Sequence, residues 1–480
     1  MSNNQNQQII QVGKNYLCEE DKELLEIPDF EENIHIQIEQ AKKKYSLIIL
    51  VGCVLSKFGV AFCYQYTHQS MDSNLNDKLY TFIQFFTIAI FTLILIGFIV
   101  DLVSFKISWR FNQVIFFAGI LTFLASLLDS NNQYMVLAKY FFYFSFACNY
   151  VCGTYIIFDS TYTLKAKFIY QSLFIAFGSY FSFAVCLILN WFSLQQKIKG
   201  YYLFGLILII MSIYFIGSLL VSQCYDKIVQ IRERSQRYQL FLQYRGVGIT
   251  LKSIIQFYLN RNNIYLLFNI ISLRSMSSLS IVPFLIKSFV KSDQKYKQID
   301  VQKTLALTFY LSNLFGIYIF FHLAKQQNII ALSYKILRNL LFLLTLYQII
   351  LTAVIYYQSQ VNFDFLYIVF FIGLVFKGIS NIIGVVLCNI LLIALQSENS
   401  SIRCIGLGLF GALQDTQDIL YYFDIQPIIL NCLLFLIGIL DSIYCLYYLK
   451  NRSFSRLESQ YAIEINQQNN QNQSLLQDQS

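Results

Sequence analysis

Seven ionisable side chains lie inside stretches that are otherwise apolar: Lys57, Lys139, Arg274, Lys377, Asp415, Asp418 and Asp441. A charge at the centre of a bilayer costs on the order of 3 kcal/mol on insertion scales, so such a residue ordinarily faces protein or a water-filled cavity. Asp415 and Asp418 are three positions apart and share a helix face. A carboxylate there can neutralise a cationic ligand or carry a proton. It can equally form a permanent structural pair with Lys57, Arg274 or Lys377. Lys139 sits near the end of its apolar stretch, where its stem can reach the interface.

The elements that must position these groups are membrane helices. Of 480 residues, 56% are hydrophobic and only 13% charged, and the mean hydropathy is +0.52. That composition excludes a string of soluble domains. Apolar runs recur from Tyr45 to Leu449, each long enough to cross about 30 Å of hydrocarbon as a helix. Twelve spans are expected, at 45–64, 79–100, 112–128, 134–158, 168–192, 201–222, 264–286, 304–324, 337–357, 365–395, 402–422 and 427–449. The fold class is therefore an all-α polytopic membrane protein. The expected division is a disordered cytoplasmic tail over 1–44, a six-helix bundle over 45–222, a linker over 223–263, a second bundle over 264–449, and a Gln- and Asn-rich tail over 450–480.

Lysine and arginine set the orientation. They crowd the tail at Lys42, Lys43 and Lys44, the turns at Lys106, Arg110, Lys165 and Lys167, and the linker from Lys227 to Arg261. Both termini are expected in the cytoplasm, although the segment from Lys287 to Lys303 puts lysines outside. The net charge of +8 fits basic cytoplasmic loops and gives no reason to expect nucleic-acid binding. The 11 cysteines fall in spans or on the inner side, so no disulfide framework is expected.

One turn carries a recognisable pattern. Arg403, Gly406 and Gly408 keep the spacing Arg-x-x-Gly-x-Gly, with Gln396 and Asn399 before them. This resembles the turn between helices 10 and 11 of major facilitator superfamily transporters, most closely the organic cation transporter-like branch. There the pattern is Glu-x-x-Pro-x-x-x-Arg-x-x-Gly-x-Gly, so Gln396 stands at the Glu place and Asn399 at the Pro place. Counting on, Asp415 falls where cation-handling members carry an acid. Gly97, Asp101 and Lys106 resemble the family's helix 2–3 signature, and the turn holding Asp159, Lys165 and Lys167 resembles the first-half counterpart of the Arg403 turn. The Pro-Glu-Ser-Pro-Arg signature and the large cysteine-bearing outer loop of that branch are absent.

The resemblance implies twelve helices in two pseudo-symmetric six-helix bundles with a site between them. It also implies secondary active transport of a small organic solute, a cation being one candidate, with or without a coupled proton. Asp415, Asp418, Lys57, Arg274 and Lys377 are then the substrate-binding candidates. Gly97, Asp101, Lys106, Asp159, Arg403, Gly406 and Gly408 are the gating candidates. A sugar or another solute is an alternative cargo, and a transporter-like receptor or scaffold is an alternative function. No nucleotide-binding loop is present, and the only histidines, His35, His68 and His322, form no metal or nucleophile–base constellation. Neither an enzyme nor a cofactor is expected. The expected partners are solute, proton and lipid, with the chain a monomer in the plasma membrane or an internal membrane.

Overall fold

The computed structural model describes residues 28–71, 92–101, 105–129, 132–196, 200–234, 295–323, 329–356 and 363–395, together with Leu407, Gly408, Ile429, Leu436, Ile439 and Leu440. Apart from short turns at 161–163 and 233–234, all of these are helical. In chain order the helices are α1 (Pro28–Met71), α2 (Thr92–Asp101), α3 (Phe105–Asp129), α4 (Asn132–Ser160), α5, α6 (Gly200–Arg232), α7 (Lys295–Leu323), α8 (Ile329–Tyr356) and α9 (Phe363–Leu395). Helix α5 is continuous in three parts, Leu164–Ile175, Ala176–Phe181 and Ser182–Gln196, the middle one π-helical.

Helices α1 to α6 match the first six expected spans, and α7, α8 and α9 match the eighth, ninth and tenth. The expected seventh span lies outside the described residues. So do the eleventh and twelfth, except for the six single residues named above. Among the described residues, seven helices are long and apolar enough to cross a membrane. The protein is an all-α polytopic membrane protein.

Several helix ends run further than the apolar pattern suggests, two of them into the expected tail and linker. Helix α1 begins at Pro28, inside the expected tail, and α6 continues to Arg232, inside the expected linker. The reason is lateral packing of polar ends. Ile34 and Ala41 are buried, the Lys43 ammonium lies 4.6 Å from the Tyr162 ring, and that of Lys227 lies 5.2 Å from the Tyr45 ring.

Small residues set the closest helix contacts. Helix α1 packs most extensively on α6, α3 on α4, and α7 on α9. A Cβ added to Gly217 of α6 would come within 2.6 Å of both the Gly52 carbonyl oxygen and the Ser56 amide nitrogen of α1. The two backbones touch there, as small residues allow when lipid supplies no hydrophobic drive between helices. Outward faces stay apolar. Only 33% of the apolar window of α3 is buried, and Ile107, Phe111, Val114, Phe117 and Leu121 form an exposed stripe at helical spacing. Such a stripe is the surface a hydrocarbon solvent requires.

Candidate functional site

The site is built on the wide turn in α5. A π-helical segment is rare and marks functional places in helices more often than chance. Here it lays Gly178 against the stem of Lys57: a Cβ on Gly178 would sit 3.1 Å from the lysine Cβ and 3.2 Å from its Cγ and Cδ. Just after the turn, the Ser182 hydroxyl donates to the Phe58 carbonyl oxygen at 2.9 Å, pinning α5 to α1.

Lys57 is 1% exposed. Its ammonium lies 4.2 Å from the ring centre of Phe174, 4.9 Å from Tyr150 and 5.6 Å from Phe146. Helices α1, α4 and α5 thus place a cation inside three aromatic faces, which attract it through their quadrupoles. The carboxylates that the sequence offered as partners for Lys57, those of Asp415 and Asp418, lie outside the described residues, as does Arg274.

Tyr150 carries the site across to the second half. Its hydroxyl donates to Asn389 Oδ1 of α9 at 2.8 Å. A second bridge runs parallel: Asn381 Nδ2 donates to the Tyr180 hydroxyl of α5 and, at 2.9 Å, to Asn313 Oδ1 of α7. Asn313 Nδ2 in turn donates to the Phe309 carbonyl oxygen at 2.7 Å. Phe168 stacks on Phe320 with centroids 6.0 Å apart, and Tyr180 meets Phe309 edge-on at 6.2 Å. The two groups of helices therefore meet through a few buried amides, phenols and rings. Tyr150 ends the aromatic stretch from Tyr140 that the sequence offered for cation–π contact, whereas Asn389, Asn381, Asn313 and Tyr180 were not singled out by sequence. Their signal is weak, because a neutral amide in an apolar run lowers its hydropathy little.

Among the described residues, Asn389 Nδ2, Gln171 Oε1 and Thr154 Oγ1 are buried without a hydrogen-bond partner, as is Ser108 Oγ. Buried polar groups are ordinarily satisfied, so each is an open position. Lys377 is also buried, at 2% exposed, and lies one turn before Asn381 on α9. Its ammonium faces Tyr347 of α8, 5.6 Å from the ring centre. The structure gives the two candidate lysines different neighbours.

The gating candidates divide. Gly97 and Gly408 are brought together: a Cβ on Gly408 would stand 2.2 Å from the Leu93 carbonyl oxygen and 3.4 Å from the Gly97 Cα. Asp101 is 3% exposed at the end of α2. Lys106 pairs with Asp226 of α6 at 3.1 Å, and Arg110 approaches the same carboxylate at 3.8 Å. Asp159 does not pair with the basic residues of its own turn. It accepts from Arg232 Nη2 at 2.8 and 3.0 Å and from the Tyr225 hydroxyl at 2.9 Å. Lys167 instead lies 4.1 Å from the Phe158 ring. Arg403 and Gly406 lie outside the described residues. His322, at the end of α7, is exposed beside Tyr318.

Comparison with solved structures gives the fold a context. The chain is similar to FucP, a major facilitator superfamily transporter, in its outward conformation. The TM-score is 0.53 with 12% identity, over 83% of this chain and 98% of that one. It is similar to the proton:xylose symporter XylE bound to 6-bromo-6-deoxy-D-glucose, with a TM-score of 0.53 and 13% identity over 85% and 96% of the two chains. A second structure of the E. coli fucose:proton symporter FucP gives 0.50 and 10% over 86% and 98%. No protein-family model and no curated protein matches the sequence. The chain has the fold of major facilitator superfamily transporters.

Proposed function

We propose that this protein is a secondary transporter that moves a small polar organic solute across a membrane by alternating access. The solute binds between the α1–α6 group and the group containing α7 to α9. One observation carries this reading: Lys57, Tyr150 and Asn389 form a buried polar contact where the two groups meet, with open hydrogen-bonding positions beside it. Polar groups at membrane depth are expensive and mark solute pathways. Transporters of two repeated halves hold their site at the repeat interface and rock the halves around it. Besides these hydrogen bonds and rings, the two groups share an apolar core that rocking must part. The fold neighbours support the reading as well, two of them being described as proton symporters of fucose and xylose.

In this reading both termini are cytoplasmic, the chain acts as a monomer, and a proton accompanies the solute. The test is uptake into sealed proteoliposomes of the purified chain, with and without an inward proton gradient, across neutral, anionic and cationic solutes. Accumulation that collapses with the gradient is the expected result. A chain that binds a solute but never delivers it to the lumen would be a receptor.

The organic cation branch is the finer alternative and rests on the turn at Arg403 and on Asp415. Beside the interface lies the Lys57 ammonium, which favours a neutral or anionic solute, whereas Lys377 faces Tyr347 of α8 within its own group. Asp415 is twelve positions after Arg403, about 18 Å along a helix rising 1.5 Å per residue. Its proposed role is therefore that of proton carrier. Asp415→Asn is expected to leave abundance intact and abolish the response of uptake to the proton gradient. Gradient-driven uptake by the Asn variant at the original rate ends that role.

A further inference from the structure

Resting on the transport reading, we infer that the solute carries a carboxylate, which Lys57 and Asn389 receive from the two sides of Tyr150. The argument is an inventory of donors and acceptors. A lysine ammonium has three donors and no acceptor. Lys57 is held by ring faces alone, and among the described residues no carboxylate lies within ion-pair distance of it. Ring faces offset only part of the dehydration of an ammonium, so an anion gains there what the rings do not supply.

Beyond the Tyr150 ring, Asn389 uses its Oδ1 to accept the phenol, and its Nδ2 has no partner although the residue is 0% exposed. Two buried donors without acceptors therefore flank one ring. A carboxylate brings two acceptor oxygens and the missing negative charge. A neutral polyol brings acceptors but leaves the lysine unneutralised, and a cationic group brings neither.

Acceptors lie about one helical turn away along α4 and α5. Gln171 Nε2 donates to the Thr154 carbonyl oxygen at 2.6 Å, leaving Gln171 Oε1 unpartnered. The Thr154 hydroxyl is unpartnered too. Thr154 lies one helical turn beyond Tyr150, and Gln171 lies one turn before Phe174. A solute hydroxyl can donate to Gln171 and accept from Thr154. The cargo is thus a small hydroxylated carboxylate. In the structure the cage is closed, with Lys57 1% exposed, so the anion enters when the Tyr150–Asn389 bond parts and the two groups of helices separate.

The test uses the full chain in proteoliposomes and two size-matched series of labelled probes that differ in charge: D-gluconate, sorbitol and N-methyl-D-glucamine, and lactate, glycerol and serinol. In at least one series the carboxylate is expected to enter at least tenfold faster than its neutral and cationic counterparts. Lys57→Gln should lower carboxylate uptake at least tenfold and collapse its preference over the neutral probe, while Lys57→Arg retains the preference. Asn389→Asp, which sets a carboxylate against the solute, should lower uptake by a similar factor. It carries the test if Lys57→Gln does not fold, as judged by size-exclusion elution. Uptake led by a neutral or cationic probe, or an unchanged preference in these variants, overturns the carboxylate assignment and leaves transport standing. Failure of all six probes overturns the assignment too, and transport is then judged on the wider solute screen.

Discussion

Replacing Arg232 with alanine is expected to destabilise the folded protein by about 3 kcal/mol, the low end of the cost of stranding one member of a buried ion pair, because this pair is only partly buried. Asp159 and Arg232 are 14% and 18% exposed at their side chains. The carboxylate accepts two hydrogen bonds from the guanidinium and one from Tyr225. Removing the guanidinium leaves a carboxylate with the Tyr225 hydroxyl as a hydrogen-bond donor and no guanidinium to neutralise it. The measurement is thermal unfolding in detergent, read with the yield of monodisperse protein. Asp159→Asn should restore much of the loss when combined with Arg232→Gln, because an amide pair needs no counter-charge. An Arg232→Ala protein as stable as the parent would show that this pair contributes only what an exposed one does.

Gly217→Val should be equally severe for a different reason. The added atoms meet the Gly52 carbonyl oxygen and the Ser56 amide, both backbone, rather than a side chain that can swing aside. Overpacking a tight contact ordinarily costs 1–3 kcal/mol, and about 3 kcal/mol or more is expected here because two whole helices must separate. Gly205 is the control: a Cβ there meets nothing within 4 Å, so Gly205→Ala should leave the melting temperature unchanged. Similar melting temperatures for the two variants would remove the backbone contact as the cause.

The spans were legible because length and apolarity alone suffice to place a membrane helix, and α3 to α9 lie where the hydropathy pattern puts them. Lys57 and Lys377 were legible for the converse reason, each being a charge in an apolar run. The rings around Lys57 were not, since 45 phenylalanines and 35 tyrosines leave no ring distinguished from another. Gly97 and Gly408 could be picked out by the spacing around them. Nothing local announces the Tyr150–Asn389 bond, whose members are 239 positions apart. Asp159 was noticed, but its partner was sought in its own turn. The residue that neutralises it comes 73 positions later, at the end of a helix that runs past the apolar pattern used to bound it. Asp226 escaped for the same reason, sitting in that unforeseen last stretch of α6.

The wide turn in α5 also has a meaning in terms of rotational phase. Phe168 and Tyr180 are twelve residues apart, which on a regular helix of 100° per residue points them about 120° from each other. Both nevertheless face α7, where they meet Phe320 and Phe309. A π turn takes up roughly one extra residue, which leaves eleven regular steps and brings the two rings to within about 20°. One surplus residue between Ala176 and Phe181 is thus what keeps a single edge of α5 aimed at α7 on both sides of the lysine cage. The same twelve residues wound as ordinary helix throughout would swing Tyr180 about 100° away from Asn381. At this segment the winding of the helix governs the interface as much as the identity of its residues does.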